Sequence, residues 1–228
     1  MNEAAATAPS PEPAEPGLPA PRFEILDSEA VPHAAAPMLA FTGHVAETSG
    51  REVYTVALTA QIMIEPAKRT YDDATRERLI EMFGAPERWA VTTHPFLWAE
   101  VGMLVPAFTG ATGFRIPMPC TYDLELAAAK YIHSMPDGAV PLLFNFTGTI
   151  FYRGEAGRMQ IVKVPWDCSA RYSMPVATWQ DMIAQHYPNG GWVRLDDSTL
   201  DALGTRKAER GLPSFDATVA ELLEERGS

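Results

Sequence analysis

The sequence predicts an α+β fold, mainly an antiparallel β-sheet or sandwich of about eight to ten strands, with a crossover helix and about three C-terminal helices. Three observations predict it. Tyr54, Val56, Leu58, Ala60, Ile62 and Ile64 are apolar at period two, while Thr55, Thr59, Gln61 and Glu65 lie opposite, so one face is buried and one is wet. Leu142, Phe144, Phe146, Gly148 and Ile150 alternate with Leu143, Asn145, Thr147, Thr149 and Phe151 between two turn signals, Asp137-Gly138 and Arg153–Gly157. After Trp166 the apolar spacing changes from strand-like to helical.

Residues 1–21 hold six prolines, many alanines and no basic residue, and read as a disordered, partly polyproline-like tail rather than a signal peptide. A β domain is expected over 22–174. Phe23 to Asp27 starts it. Met38 to Glu47 follows, with Leu39, Phe41, Gly43 and Val45 on one face, and Glu52 to Glu65 ends at Pro66. Asp72 or Asp73 caps a helix over 72–83 in which Leu79, Ile80 and Phe83 share a face; Gly84 and Pro86 stop it. This helix is expected to cross between strands.

Leu97 to Val105 reads as a strand with Leu97, Ala99, Val101, Met103 and Val105 inward, which puts Trp98 on the polar side. Phe114, Ile116 and Met118 alternate with Arg115, Pro117 and Pro119, and two prolines mark that strand as an edge. Leu124 to His133 fits both periods. The Asp137-Gly138 turn favours a strand, with a bulge near Ala127-Ala128-Ala129 and Lys130 facing inward. Met159 to Val164 returns.

A helical segment over 175–228, packed on the β domain, is expected to follow. Pro175 opens a helix with Val176, Trp179, Met182 and Ile183 on one face. Trp192 to Leu195 is a short strand after the turn at Pro188–Gly191. Ser198-x-x-Asp201 resembles a capping box, and Ser214 caps a last helix carrying Val219, Leu222 and Leu223.

Of 228 residues 46% are hydrophobic, enough for a full core without disulfides. The net charge of −11 disfavours nucleic acid and anionic membranes, and favours solubility or a partner with a basic face. No apolar run approaches the roughly 18–20 residues of a spanning helix, so no membrane insertion and a cytoplasmic setting are expected. Cys120 and Cys168 are isolated; a disulfide between them is open in principle, and two reduced, mostly buried thiols are expected.

No catalytic constellation stands out: there is no metal-binding histidine pair, no G-x-S-x-G elbow and no phosphate-binding glycine loop. A site from Cys120, Asp123, His133 and Cys168 is conceivable if a hairpin joins them, but no metal and no cofactor is expected. Tryptophan is enriched at contact surfaces. Phe96, Trp98 and Trp166 would form an exposed aromatic patch, or else pack beneath the C-terminal helices. The candidate partner or ligand contacts are Phe96, Trp98, Lys130, Tyr131, Trp166 and Trp192.

Several segments carry a family likeness over roughly 23–223. They are Ile62–Pro66, Gly84–Trp89, Pro95–Trp98, Val105–Gly110, Pro119–Asp123, Ala127–Tyr131, Val164–Trp166 and Pro188–Trp192. In these the chain resembles an uncharacterised bacterial family, a domain of unknown function associated with gene clusters for oxygen-tolerant, high-affinity NiFe hydrogenases. The resemblance implies a non-enzymatic, protein-binding accessory factor, chaperone-like, acting in assembly or stability of a hydrogenase or its electron-transfer partners. A hydrogenase subunit or maturation factor is then the expected partner. Two alternatives stay open. One is a small-molecule-binding β domain or enzyme with a pocket between sheet and helices, lined by Lys130, Tyr131 or His133. The other is a structural subunit of a larger complex.

Overall fold

The computed structural model describes residues 18–120, 122–154, 157–188 and 195–226, with the backbone alone for 122–126 and 226. The expected tail over 1–21 lies mostly outside these residues. The chain divides into two compact units, Met1–Pro188 and Asn189–Ser228.

Nine strands are described in the first unit: β1 Pro21–Ala30, β2 Met38–Glu47, β3 Glu52–Ile64, β4 Phe96–Val105, β5 Phe108–Thr109, β6 Ala111–Pro119, β7 Ala139–Arg153, β8 Met159–Lys163 and β9 Ser169–Pro175. They form two antiparallel sheets. The smaller has the order β1-β2-β6; the larger runs β4-β3-β7-β8, with β5 on β3 and β9 on β7. Together with its helices this is an α+β sandwich. The expected edge strand is β6, where Pro117 and Pro119 pair with Ala40 and Met38 on one side only.

The two sheets meet through rings. Phe41 of the small sheet meets Phe144 of the large one edge-on at 5.1 Å, and Phe23 stacks on Phe146 at 4.3 Å. Phe114 joins both Phe23 and Phe146 edge-on, at 6.0 and 6.1 Å. Each such pair adds about 0.5–1.5 kcal/mol beyond area burial. Alternation delivers these rings: Val56, Leu58, Ala60, Ile62 and Ile64 on β3 and Leu142, Phe144, Phe146 and Ile150 on β7 are all buried.

The alternation fails where the ladder bulges. A register shift between Val53 and Thr55 turns Val53 inward, leaving Tyr54 half-buried against expectation. A second shift, opposite Ile62 and Met63, leaves Trp98 without a cross-strand partner. Trp98 is therefore buried beside Ala99, and Leu97 is exposed instead. The predicted polar-side placement of Trp98 is overturned for this reason.

The helices of this unit are α1 Asp73–Phe83, α2 Trp89–Thr92, α3 Tyr122–His133 and α4 Val176–His186. Asp72 caps α1 by accepting from Thr75 N at 2.6 Å. The expected crossover is instead an excursion, because α1 and α2 join β3 to its own antiparallel neighbour β4. Leu124–His133, expected as a strand, is the helix α3. The Ala127-Ala128-Ala129 run has high helix propensity. Ala128, Tyr131 and Ile132, at helical spacing, are buried while His133 is exposed. Gly138 (φ 81) does turn the chain, but from a helix into β7. α4 sets Trp179 on Trp98 at 5.9 Å. β9 was not foreseen; only Ala170, Tyr172 and Met174 alternate in it.

The second unit is a helical hairpin, α5 Asp197–Arg210 and α6 Phe215–Arg226. Asp196, not Ser198, caps α5, accepting from Thr199 N at 2.7 Å. Ser214 caps α6 through Ala217 N at 3.1 Å, as expected. Arg206 reaches Glu225 at 2.7 Å and Glu221 at 3.5 Å. Of the strand expected at Trp192 to Leu195, residues 192–194 lie outside the described set.

Gly148 carries φ 153 at the centre of β7, opposite Leu58, and a Cβ there would overlap Ala57 O. Gly148→Ala should destabilise the protein by about 2–4 kcal/mol, read as a lower denaturant midpoint, since strain and overpacking add. A change below about 0.5 kcal/mol, the range of neutral surface substitutions, would contradict this account of the ladder.

Candidate functional site

Three regions of the first unit hold the residues with chemistry to offer: an aromatic cluster around Tyr131, the outer edge at β8, and a cleft where β3, β7 and β9 meet.

The cluster forms because α1, α2, α3 and β4 each turn one ring to the same point. Tyr131 is fully buried. Phe83, Phe96 and Tyr71 meet it edge-on at 6.1, 6.0 and 6.4 Å, and Trp89 meets Tyr71 at 5.4 Å. The Tyr71 hydroxyl donates to Pro66 O at 2.7 Å, which leaves the Tyr131 hydroxyl to donate to Tyr71 at 2.6 Å. Burial pushes both phenols above the ordinary tyrosine value. At Tyr131 the neighbouring Tyr71 pushes in the same direction. The cluster is a packed, satisfied core rather than a cavity. Tyr71 was not singled out from the sequence, because its partner lies 60 residues away.

The other candidate contacts separate. Phe96 is half-buried in this cluster, and Trp98 is buried against Trp179. Lys130, expected inward, lies at the surface and pairs with Glu81 at 2.7 Å, because a helix directs residues 130 and 131 to different sides. That contact holds the Glu81 carboxyl below its ordinary value. His133 is exposed too, so the pocket expected from Lys130, Tyr131 and His133 does not form. Trp192 lies outside the described residues.

Among the described residues, no three His, Cys, Asp or Glu side chains gather in a way that would hold a metal ion. Cys120 is buried, with its thiol donating to Met118 O at 3.6 Å, and Cys168 is half-buried. Cys168 donates to Pro21 O at 3.5 Å, and burial, with Asp167 adding, pushes its thiol up to about 11. It is a poor nucleophile at neutral pH.

Trp166 is 71% exposed on the connection between β8 and β9. On β8 itself Met159 and Ile161 are each 64% exposed. β8 ends the larger sheet, so its outer row of backbone groups pairs with no other described strand. Arg158 and Lys163 are exposed beside it, and Arg153 pairs with Glu52 at 3.1 Å.

The cleft, about 480 Å³, is lined by Glu65, Lys68 and Arg171 over Pro141 and Leu142. Glu65 is buried, accepts from Arg171 Nε at 3.0 Å and ties its own N–H to Pro141 O at 3.0 Å. The sequence carried one signal for it: a carboxylate directly after the apolar face of β3, before a proline.

The tyrosine pair yields an ordered expectation. Tyr71→Phe strands a buried hydroxyl on Tyr131 and should cost about 1–3 kcal/mol; Tyr131→Phe leaves Tyr71 still donating and should cost about 0.5–1.5 kcal/mol beyond lost packing. Because both folded-state values are raised, their stabilisation is complete below the ordinary value of 10.0 and is lost as pH rises above it. Denaturant melts between about pH 9 and pH 11 should show this decline, shallower in Tyr131→Phe. A reversed order of costs, or a flat alkaline limb, would contradict the hydrogen-bond directions given.

No curated protein matches the chain. Among solved structures, a candidate ApaA protein from Bordetella pertussis is similar over 71% of this chain and 96% of its own, at 14% identity and a TM-score of 0.23. A beta-glucosidase from Kluyveromyces marxianus is similar over 69% of this chain and 16% of its own, at 8% identity and a TM-score of 0.26. Beta-glucosidase 3B from Thermotoga neapolitana, solved with alpha-D-glucose, is similar over 71% of this chain and 18% of its own, at 13% identity and a TM-score of 0.22. Likenesses of this size carry no argument about fold or function. Residues 18–228 match the sequence model of DUF6084, and the chain belongs to that family of unknown function.

Proposed function

We propose that this chain is a non-enzymatic, protein-binding accessory factor that takes its partner along β8 and Trp166. One observation supports this above all: an unpaired sheet edge carries two exposed apolar side chains, Met159 and Ile161, and is followed by an exposed tryptophan. An open edge of this kind accepts an extended segment as an added strand, with main-chain hydrogen bonds for affinity and alternate side chains for specificity. The partner segment would be apolar opposite Ile161 and acidic near Arg158 and Lys163.

The hydrogenase resemblance makes a NiFe hydrogenase subunit, its electron-transfer partner or a maturation factor the first partner to test, with a chaperone-like role in assembly or stability. The experiment is binding to purified hydrogenase subunits and maturation proteins. Ile161→Lys and Trp166→Ala should each weaken binding about tenfold or more, as central contacts do, and leave the thermal melt unchanged. Failure of every such protein to bind removes the hydrogenase partner. Undiminished binding by both variants removes β8 as the surface.

A further inference from the structure

We infer that the cleft between β3, β7 and β9 binds a small organic acid through its carboxylate. Two cations and one carboxylate line it, leaving one net positive charge. The carboxylate is already used. Glu65, with its side chain 8% exposed, accepts from Arg171 Nε and fixes the plane of the guanidinium, whose side chain stays 64% exposed. The two terminal nitrogens of Arg171 have no described partner, and neither does the Lys68 ammonium, whose backbone N–H donates to Glu65 O at 3.0 Å. The neighbouring cation, Arg69, is committed to Ala139 O and Asp137 O at 2.6 and 2.7 Å. Its absence from the cleft is thus explained, and the availability of Lys68 and Arg171 is not an effect of crowding.

A guanidinium held by its Nε presents its other two nitrogens as a planar fork, the shape that matches a carboxylate with two parallel hydrogen bonds. Lys68 adds a mobile point charge, and the Ser173 hydroxyl lines the same space. Pro141 supplies an apolar wall for a short carbon chain rather than for a bare inorganic ion. The distant acidic groups of the chain weigh little, because their field falls off over about 8 Å at physiological salt.

Titration of the full chain with succinate, inorganic phosphate and neutral succinamide, followed by ligand-observed NMR, tests this. Succinate should saturate, and succinamide should not. Arg171→Lys keeps the charge and the Glu65 contact but removes the fork, and should weaken succinate about tenfold. Lys68→Ala touches no described partner and should weaken it about threefold with an unchanged melt. No saturation by succinate up to about 20 mM would overturn the proposal. So would equal binding by phosphate, or full binding by either variant. None of these outcomes depends on β8, whose partner is read separately.

Discussion

The ladder between β3 and β7 is what the rest of the first unit depends on. It runs from Val53 opposite Tyr152 to Ile64 opposite Leu142. β4 and β5 attach to one side of this pair and β8 and β9 to the other. A slip of one residue would carry Phe144 and Phe146 to the outer face and dismantle the ring contacts with Phe41 and Phe23. Gly148 sits inside this ladder because no side chain fits above Ala57 O. Gly43 plays a related part in the smaller sheet, where the Phe114 ring lies over it and a Cβ would overlap that ring.

A sandwich must also deal with the ends of its sheets. β1 lies beside β9, joined by the Ser28 and Tyr172 hydroxyls at 3.1 Å. At the other side of the large sheet, β4 has α3 against it through Phe96 and Tyr131. β8, like β6, keeps an outer edge that pairs with no other described strand. It is short and carries Lys163, two usual defences against indiscriminate pairing. Yet it also presents Met159 and Ile161, which such defences do not require. Those two side chains, with Trp166 after them, are what the proposed partner contact rests on.

Much of this architecture was legible because burial on one face imposes period two, and that period survives in β2, β3, β6 and β7. The misreadings have local causes. Two bulges reversed the parity of Tyr54 and of Trp98, and a bulge leaves no mark on apolar spacing. The segment ending at His133 was read through its following turn. A turn before a strand fits a helix as well as a hairpin, and the alanine run was the better guide. The site was less legible than the fold. Lys130 changed side with that helix, and Tyr71 and Tyr131 met only through tertiary packing. The cleft was marked only by the carboxylate before Pro66, because Arg171 lies 106 residues from Glu65 and reaches it through the pairing of β9 with β7.

Charge sharpens the distinction between the two surfaces. The chain carries 29 acidic residues against 18 basic ones, a net charge of −11. At β8, Arg153 is answered by Glu52, while Arg158 and Lys163 flank exposed apolar side chains. There a positive charge discriminates among extended segments but supplies little affinity, since exposed pairs contribute at most about 1 kcal/mol. At the cleft the charge is held differently. A buried carboxylate is expensive unless paired, and Glu65 meets that demand with one nitrogen of Arg171. The pairing immobilises a guanidinium whose remaining donors stay in water, so a ligand carboxylate would lose little ordering entropy on their side when it binds. As proposed, the edge and the cleft take different occupants, a polypeptide strand and a small acid, and the residues that serve one are absent from the other.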